Sequence, residues 1–130
     1  MEKETSEKIR QILAAYPEIK LAYLFGSRAT GKAGPMSDYD FAVYMEAEDA
    51  RRMYNVKFDL EARLQKELST NAVEVTILNF VESPELKYFI IKEGILIAER
   101  EPFKVIVEPR ILNDYFDFHS LLIRYGLTKV

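Results

Sequence analysis

Two aspartates, Asp38 and Asp40, stand one residue apart at the head of the apolar run Phe41-Ala42-Val43-Tyr44. In a strand, alternate residues share a face, which sets these side chains roughly 6–7 Å apart at their origins. Carboxylates held that close repel each other, and nothing about packing requires them at this place. A divalent cation resolves the conflict. Magnesium takes carboxylates together with substrate phosphates and water, so an acidic pair at the open end of a strand suits a metal–nucleotide complex. Upstream lies Phe25-Gly26-Ser27-Arg28. Gly26 lets backbone approach a ligand closely, Ser27 offers a hydroxyl and an N–H, and a helix starting there would favour phosphate. Arg28 could add a charge-assisted contact, and Ser37, directly before the acidic pair, could orient the loop or the substrate. Alone, a glycine–serine pair reads as a turn. Followed by Asp-x-Asp, Gly26, Ser27, Arg28 and Ser37 become candidates for binding a nucleotide.

The elements that must hold these groups follow from periodicity. Ile9, Ile12, Leu13 and Tyr16 have helical spacing over residues 6–16, and Pro17 ends the run. Residues 21–25 form a short apolar strand that stops at Gly26. Residues 26–37, with Gly31, Gly34 and Pro35, read as a loop that starts with a helical turn, and residues 38–44 resume a strand. Met53, Val56, Leu60, Leu64 and Leu68 share one face of a second helix over residues 48–68. That helix returns the chain across the sheet to a β-branched strand at residues 73–78. Ser83 and Pro84 start a helix carrying Leu86, Phe89 and Ile90, which Gly94 ends. A last strand at residues 95–98 precedes a C-terminal helical segment, about 102–125, which Pro109 must start, kink or interrupt. The expectation is one globular unit over residues 1–130, an α/β (α+β) fold with a small mixed sheet of about four strands flanked by helices.

Composition narrows the chemistry. The 130 residues carry a net charge of -3, which disfavours general binding to a nucleic-acid backbone. With no cysteine and one histidine, His119, any metal must be held by oxygen. No apolar run approaches the roughly 20 residues that span a bilayer. The charged start, Met1-Glu2-Lys3-Glu4, does not read as a signal peptide, so the cytoplasm is the expected address. Lone His119 reads as structural or exposed. Arg51, Arg52, Glu82, Glu85 and Glu93 read as solvated faces. Tyr115, Phe116, Phe118 and Tyr125 suit either a partner-binding face or packing onto the sheet.

Gly26-Ser27, ten intervening residues, then Asp38-Tyr39-Asp40 resembles the signature of the polymerase-β-like nucleotidyltransferase superfamily. More narrowly, the chain is similar to the minimal nucleotidyltransferase (MNT) antitoxins. The resemblance continues weakly through Gly94-Ile95-Leu96-Ile97 and Pro102-Phe103. It implies a nucleotidyltransferase fold and a third acid on a later strand, a place matched by Glu74. It further implies that Asp38, Asp40 and Glu74 are catalytic and hold Mg²⁺ against ATP. AMP would then pass to a tyrosine of a partner HEPN toxin, with a hetero-oligomer as one possible assembly. Two departures stand out. The third acid is usually aspartate and is here Glu74, and Pro109 falls inside a helix that is usually uninterrupted. Neutralisation by occlusion without catalysis, and nucleotidyl transfer to a small molecule such as an aminoglycoside, remain as competing readings.

Overall fold

The computed structural model describes residues 3–34 and 37–126. The chain termini and Pro35 of the expected loop lie outside the described residues. Helix α1 (Lys3–Ala14) leads into strand β1 (Ile19–Phe25), followed by the single turn α2 (Ser27–Thr30) and strand β2 (Tyr39–Met45). Helix α3 (Ala50–Leu68) connects to strand β3 (Val73–Ile77), which ends in a short 3-10 turn. Helix α4 (Pro84–Glu93), strand β4 (Ile95–Glu99) and helix α5 (Phe103–Arg124) complete the order.

The four strands form one mixed sheet in the order β3-β2-β1-β4. β1 is antiparallel to β2 and β4, while β2 and β3 run parallel because the long α3 returns the chain to the same end. Central β1 is covered on both faces, which is why Leu21-Ala22-Tyr23-Leu24 reads as a continuous apolar run and not as an alternation. Ala22 and Leu24 join Phe41, Val43 and Val75 in a core beneath α1 and α3. Leu21 and Tyr23 join Ala42 in a second core beneath α4 and α5. The sheet thus has a front face, toward α4 and α5, and a back face, toward α1 and α3.

The helices form where their sequences direct. α3 starts at Asp49, whose side chain accepts from the Arg52 N–H, and ends at Ser69, a left-handed residue whose N–H closes the last turn. It buries Val56, Leu60 and Leu64, each worth about 1.5–3 kcal/mol of apolar burial. Ser83 accepts from the Leu86 N–H at 3.1 Å and Pro84 opens α4, as their order in the chain indicates. Of the apolar residues expected on α4, Ile90 is buried, whereas Leu86 and Phe89 are exposed. α4 ends at Gly94, where the backbone turns extended at ψ 162°, and glycine is required there because a Cβ would lie 2.2 Å from the Ile90 carbonyl oxygen. Helix α5 runs through Pro109 without a break, burying Val107 and Ile111 one turn apart.

Both sheet edges are blunted by helix side chains. The Glu61 carboxylate accepts from the Val75 N–H at 2.8 Å, and Arg10 donates to the Ile97 carbonyl at 3.2 Å. Each ties up a strand group that would otherwise offer itself to another chain. Arg52 stays exposed, as expected of a solvated face, and there its guanidinium pairs with Glu18 at 2.5 Å, tying α3 to the residue before β1.

Candidate functional site

Antiparallel pairing of β1 and β2 sets Phe25 opposite Asp40, so the turn after β1 arrives beside the acidic pair. Gly26 makes that turn with φ 77° and ψ -158°, a backbone region open to glycine and nearly closed to other residues. A Cβ on Gly26 would stand 2.7 Å from Asp40 Oδ2. The Asp40 carboxylate therefore leans across the strand gap and rests against the glycine, in a space that only glycine leaves free. In helical geometry the first N–H groups have no acceptor within the helix, so those of Ser27 and Arg28 at the start of α2 are open to a ligand.

Asp38 stands one residue ahead of β2 and is exposed, whereas Asp40 is half-buried. Parallel pairing with β3 places Glu74 opposite Asp40, also exposed. Alternation puts Asp40 and Glu74 on the front face, in line with Ala42 and Thr76 but beyond the part of that face packed by α4 and α5. Burial first, and then the Glu74 and Asp38 carboxylates, hold the Asp40 carboxyl above the usual carboxylate range. The structure thus brings all three expected acids within electrostatic reach of one another.

They are neighbours without forming a closed cage. Among the described residues, no three carboxylate or imidazole side chains converge tightly enough to make a metal site by themselves. A magnesium ion fits such a place, because it binds through one or two carboxylates and completes its shell with substrate phosphates and water. The all-oxygen donors of Asp38 and Asp40, the mutual repulsion at Asp40 and the glycine cradle beneath its carboxylate suit a hard divalent cation.

Arg28 takes a position that its sequence neighbours do not reveal. Its Nε and Nη2 donate to the Ser37 carbonyl at 3.3 and 2.9 Å, and its guanidinium lies 4.2 Å from the centre of the Tyr39 ring. Tyr39 packs against the back-face core, so the guanidinium sits behind β2 while Asp40 points to the front. Ser37 Oγ accepts from the Gly34 N–H at 2.9 Å and thus orients the loop. Tyr39 and the Arg28 stack are the features the sequence reading missed. The signal available was the aromatic residue that stands between the two aspartates.

Away from this end of the sheet, buried Tyr23 donates to Glu108 of α5 at 2.5 Å. His119 stacks on Tyr115, which stacks in turn on Tyr88 of α4. Phe116 and Tyr125 are exposed, and Tyr115 and Phe118 are half-buried, so the C-terminal aromatics divide between packing and surface. No helix of the described residues is long and apolar enough to cross a membrane.

Comparison with known proteins places this geometry. The profile of the family described as Polymerase beta, Nucleotidyltransferase matches residues 7–103, from α1 to the first residue of α5. A protein adenylyltransferase, MntA of Aphanizomenon flos-aquae, is 28% identical over 134 residues, covering 98% of this chain and 83% of that protein. Among solved structures, a toxin–antitoxin with AMP-PNP superposes with a TM-score of 0.74 at 21% identity, covering 92% of this chain and 94% of the other. A chain from the complex of a tri-AMPylated Shewanella oneidensis HEPN toxin with its MNT antitoxin gives 0.71 at 20% identity, covering 96% and 95%. At these identities the superpositions establish a shared fold, and they extend over α5, which the family profile leaves out.

Proposed function

The chain belongs to the polymerase β nucleotidyltransferase family, and on that footing we propose that it transfers AMP from ATP to a tyrosine hydroxyl of a partner HEPN-type toxin, which it thereby neutralises. The observation that carries the reading is the lean of Asp40 over Gly26, which joins a phosphate turn and an acidic pair into one site. A protein acceptor is supported by the Aphanizomenon relative, a protein adenylyltransferase that matches nearly the whole of this chain. A HEPN-type partner is supported by fold neighbours drawn from toxin–antitoxin complexes, one with AMP-PNP and one with an AMPylated toxin.

In this reading residues 1–130 act as one unit in the cytoplasm, where ATP is at hand. Asp38 and Asp40 would hold Mg²⁺, with Glu74 sharing a second ion. When bound, Mg²⁺ neutralises triphosphate charge and favours attack at the α-phosphorus. The Ser27 hydroxyl and the free N–H groups of its turn hold the terminal phosphate, and Gly26 leaves that phosphate room to approach. Arg28 and Ser37 belong to the same site through the loop they close. Glu74, on the open side of Asp40, accepts the proton of the incoming hydroxyl. The hydroxyl oxygen bonds to the α-phosphorus as the bond to the bridging oxygen breaks. Pyrophosphate leaves with the electron pair, and AMP stays on the acceptor.

The test is to incubate the chain with MgATP and the product of its neighbouring gene, then weigh that partner by mass spectrometry. A gain of one or more AMP units is the expected result, abolished by D38N/D40N with the fold retained. A partner that stays unmodified yet is neutralised, or neutralisation that survives the double substitution, would mean that occlusion and not transfer does the work.

A further inference from the structure

Ten residues separate Ser27 of the phosphate turn from Asp38 of the acidic pair. Two hollows of about 240 and 360 Å³ flank the Arg28–Tyr39 stack, one lined by Leu24, Gly31 and Ala33, the other by Leu68, Ser69 and Ala72. Across this gap Arg28 reaches nine residues along the chain to the Ser37 carbonyl, the peptide oxygen that immediately precedes Asp38. Ser37 is tied on its other side as well, its N–H donating to the Gly34 carbonyl at 3.1 Å and its hydroxyl accepting from the Gly34 N–H. Tyr39 completes the bracket. Its N–H donates to the Ala72 carbonyl at 2.8 Å, its ring stacks beside Phe41, and its exposed face receives the guanidinium.

We propose that Arg28 is a positioning residue, a back-side bracket that fixes the separation between the Gly26–Ser27 turn and the Asp38 carboxylate. The inference rests on the transferase reading for its kinetic consequences, though not for the bracket itself. A guanidinium directed at phosphate would have to lie on the front face with Asp40, whereas this one lies behind β2 with its donors on a backbone carbonyl. Arginine suits the task because its flat, forked head can bond one oxygen with two N–H groups while stacking on a ring. Its effect on chemistry passes through Asp38. A peptide free to rotate at residue 37 lets that carboxylate wander, and misplacement by about 1 Å at a reacting centre costs on the order of 100-fold in rate.

The experiment compares the wild-type chain with R28M, R28K, Y39L and the R28M/Y39L double variant. Three readouts are taken: amide hydrogen exchange at Tyr39, Mn²⁺ affinity in the presence of AMP-PNP by electron paramagnetic resonance, and AMP transfer kinetics. For R28M we expect faster exchange at Tyr39, whose N–H is held by the Ala72 carbonyl, and weaker Mn²⁺ binding, together with a kcat lowered about 10- to 100-fold at a nearly unchanged KM for ATP. R28K should recover part of each loss, since an ammonium can still donate once to Ser37. Y39L should mimic R28M in part, and the double variant should be no worse than R28M, because both changes open one bracket. A rise in KM for ATP with kcat intact would make Arg28 a phosphate contact and overturn the proposal, as would unchanged exchange and Mn²⁺ affinity. If the wild type moves no AMP, the transferase reading fails while exchange and Mn²⁺ affinity still decide the bracket. If R28M does not fold, R28K and Y39L carry the same comparison.

Discussion

Replacing Gly26 by alanine separates the backbone role of this residue from its role in the site. The backbone at φ 77° and ψ -158° lies in a region that costs an alanine on the order of 1–3 kcal/mol. The new Cβ also meets Asp40 Oδ2 at 2.7 Å, where ordinary contact begins at 3.4 Å, so the carboxylate must retreat by 3.4 − 2.7, about 0.7 Å. That carboxylate is the end of a side chain, so its retreat is cheap for the fold and costly for the chemistry. Urea denaturation should register a loss of about 1–3 kcal/mol from the strained backbone. AMP transfer should fall by on the order of 100-fold, the usual consequence of displacing a catalytic group by a comparable distance. Gly31 is the control. It shares φ 77°, in the left-handed helical region, but nothing stands within 4 Å of its Cβ position. G31A should therefore cost roughly 1–2 kcal/mol of stability and leave transfer near wild type, and asparagine at the same position should recover much of the stability. A G26A protein that transfers AMP like the wild type would refute the close-approach argument. Equal losses of activity in G26A and G31A would assign the effect to backbone strain alone.

Three further outcomes follow from particular contacts. E74Q removes the proton acceptor while keeping the shape of the side chain, so kcat for AMP transfer should fall about 100-fold or more with ATP binding retained in calorimetry. Y23F strips Glu108 of its hydroxyl donor and should cost about 1–2 kcal/mol in urea denaturation at neutral pH. Burial first, then the bond to Glu108, raises the Tyr23 hydroxyl pKa above its ordinary 10.0. The stability it contributes is accordingly full below pH 10 and declines above it as the unfolded chain ionises, so the gap between wild type and Y23F should narrow there. P109A restores an N–H within α5 where proline has none and should stabilise the protein by about 1–3 kcal/mol in thermal melts.

Much of the fold was legible because its determinants are local. The four-residue spacing of Val56, Leu60 and Leu64, the Ser83-Pro84 start of α4 and the glycine at its end each act within a few turns of chain. The departures fell at element ends and at Pro109. β1 begins at Ile19, two residues before its apolar run, because pairing with β2 extends to Met45. Leu86 and Phe89 carry helical spacing yet stay exposed, since α4 meets the sheet through Ile90. Pro109 was expected to disturb its helix, and α5 continues through it. The proline removes one donor near the start of a helix whose burial of Val107 and Ile111 holds the turn in place.

By itself, the sequence determined the chemical types and their order: a glycine–serine turn after a buried strand, two aspartates one residue apart, and an all-oxygen set of donors. Those follow from short-range rules, in which neighbouring residues fix the backbone and the backbone fixes which side chains share a face. Only the tertiary structure decided that Glu74 stands opposite Asp40, that Asp40 rests on Gly26, and that Arg28 turns behind β2 to hold Ser37. Each of these depends on strand register or on loop closure between residues far apart in the chain. Such contacts form only when the packing of the whole sheet repays the entropy of bringing those segments together.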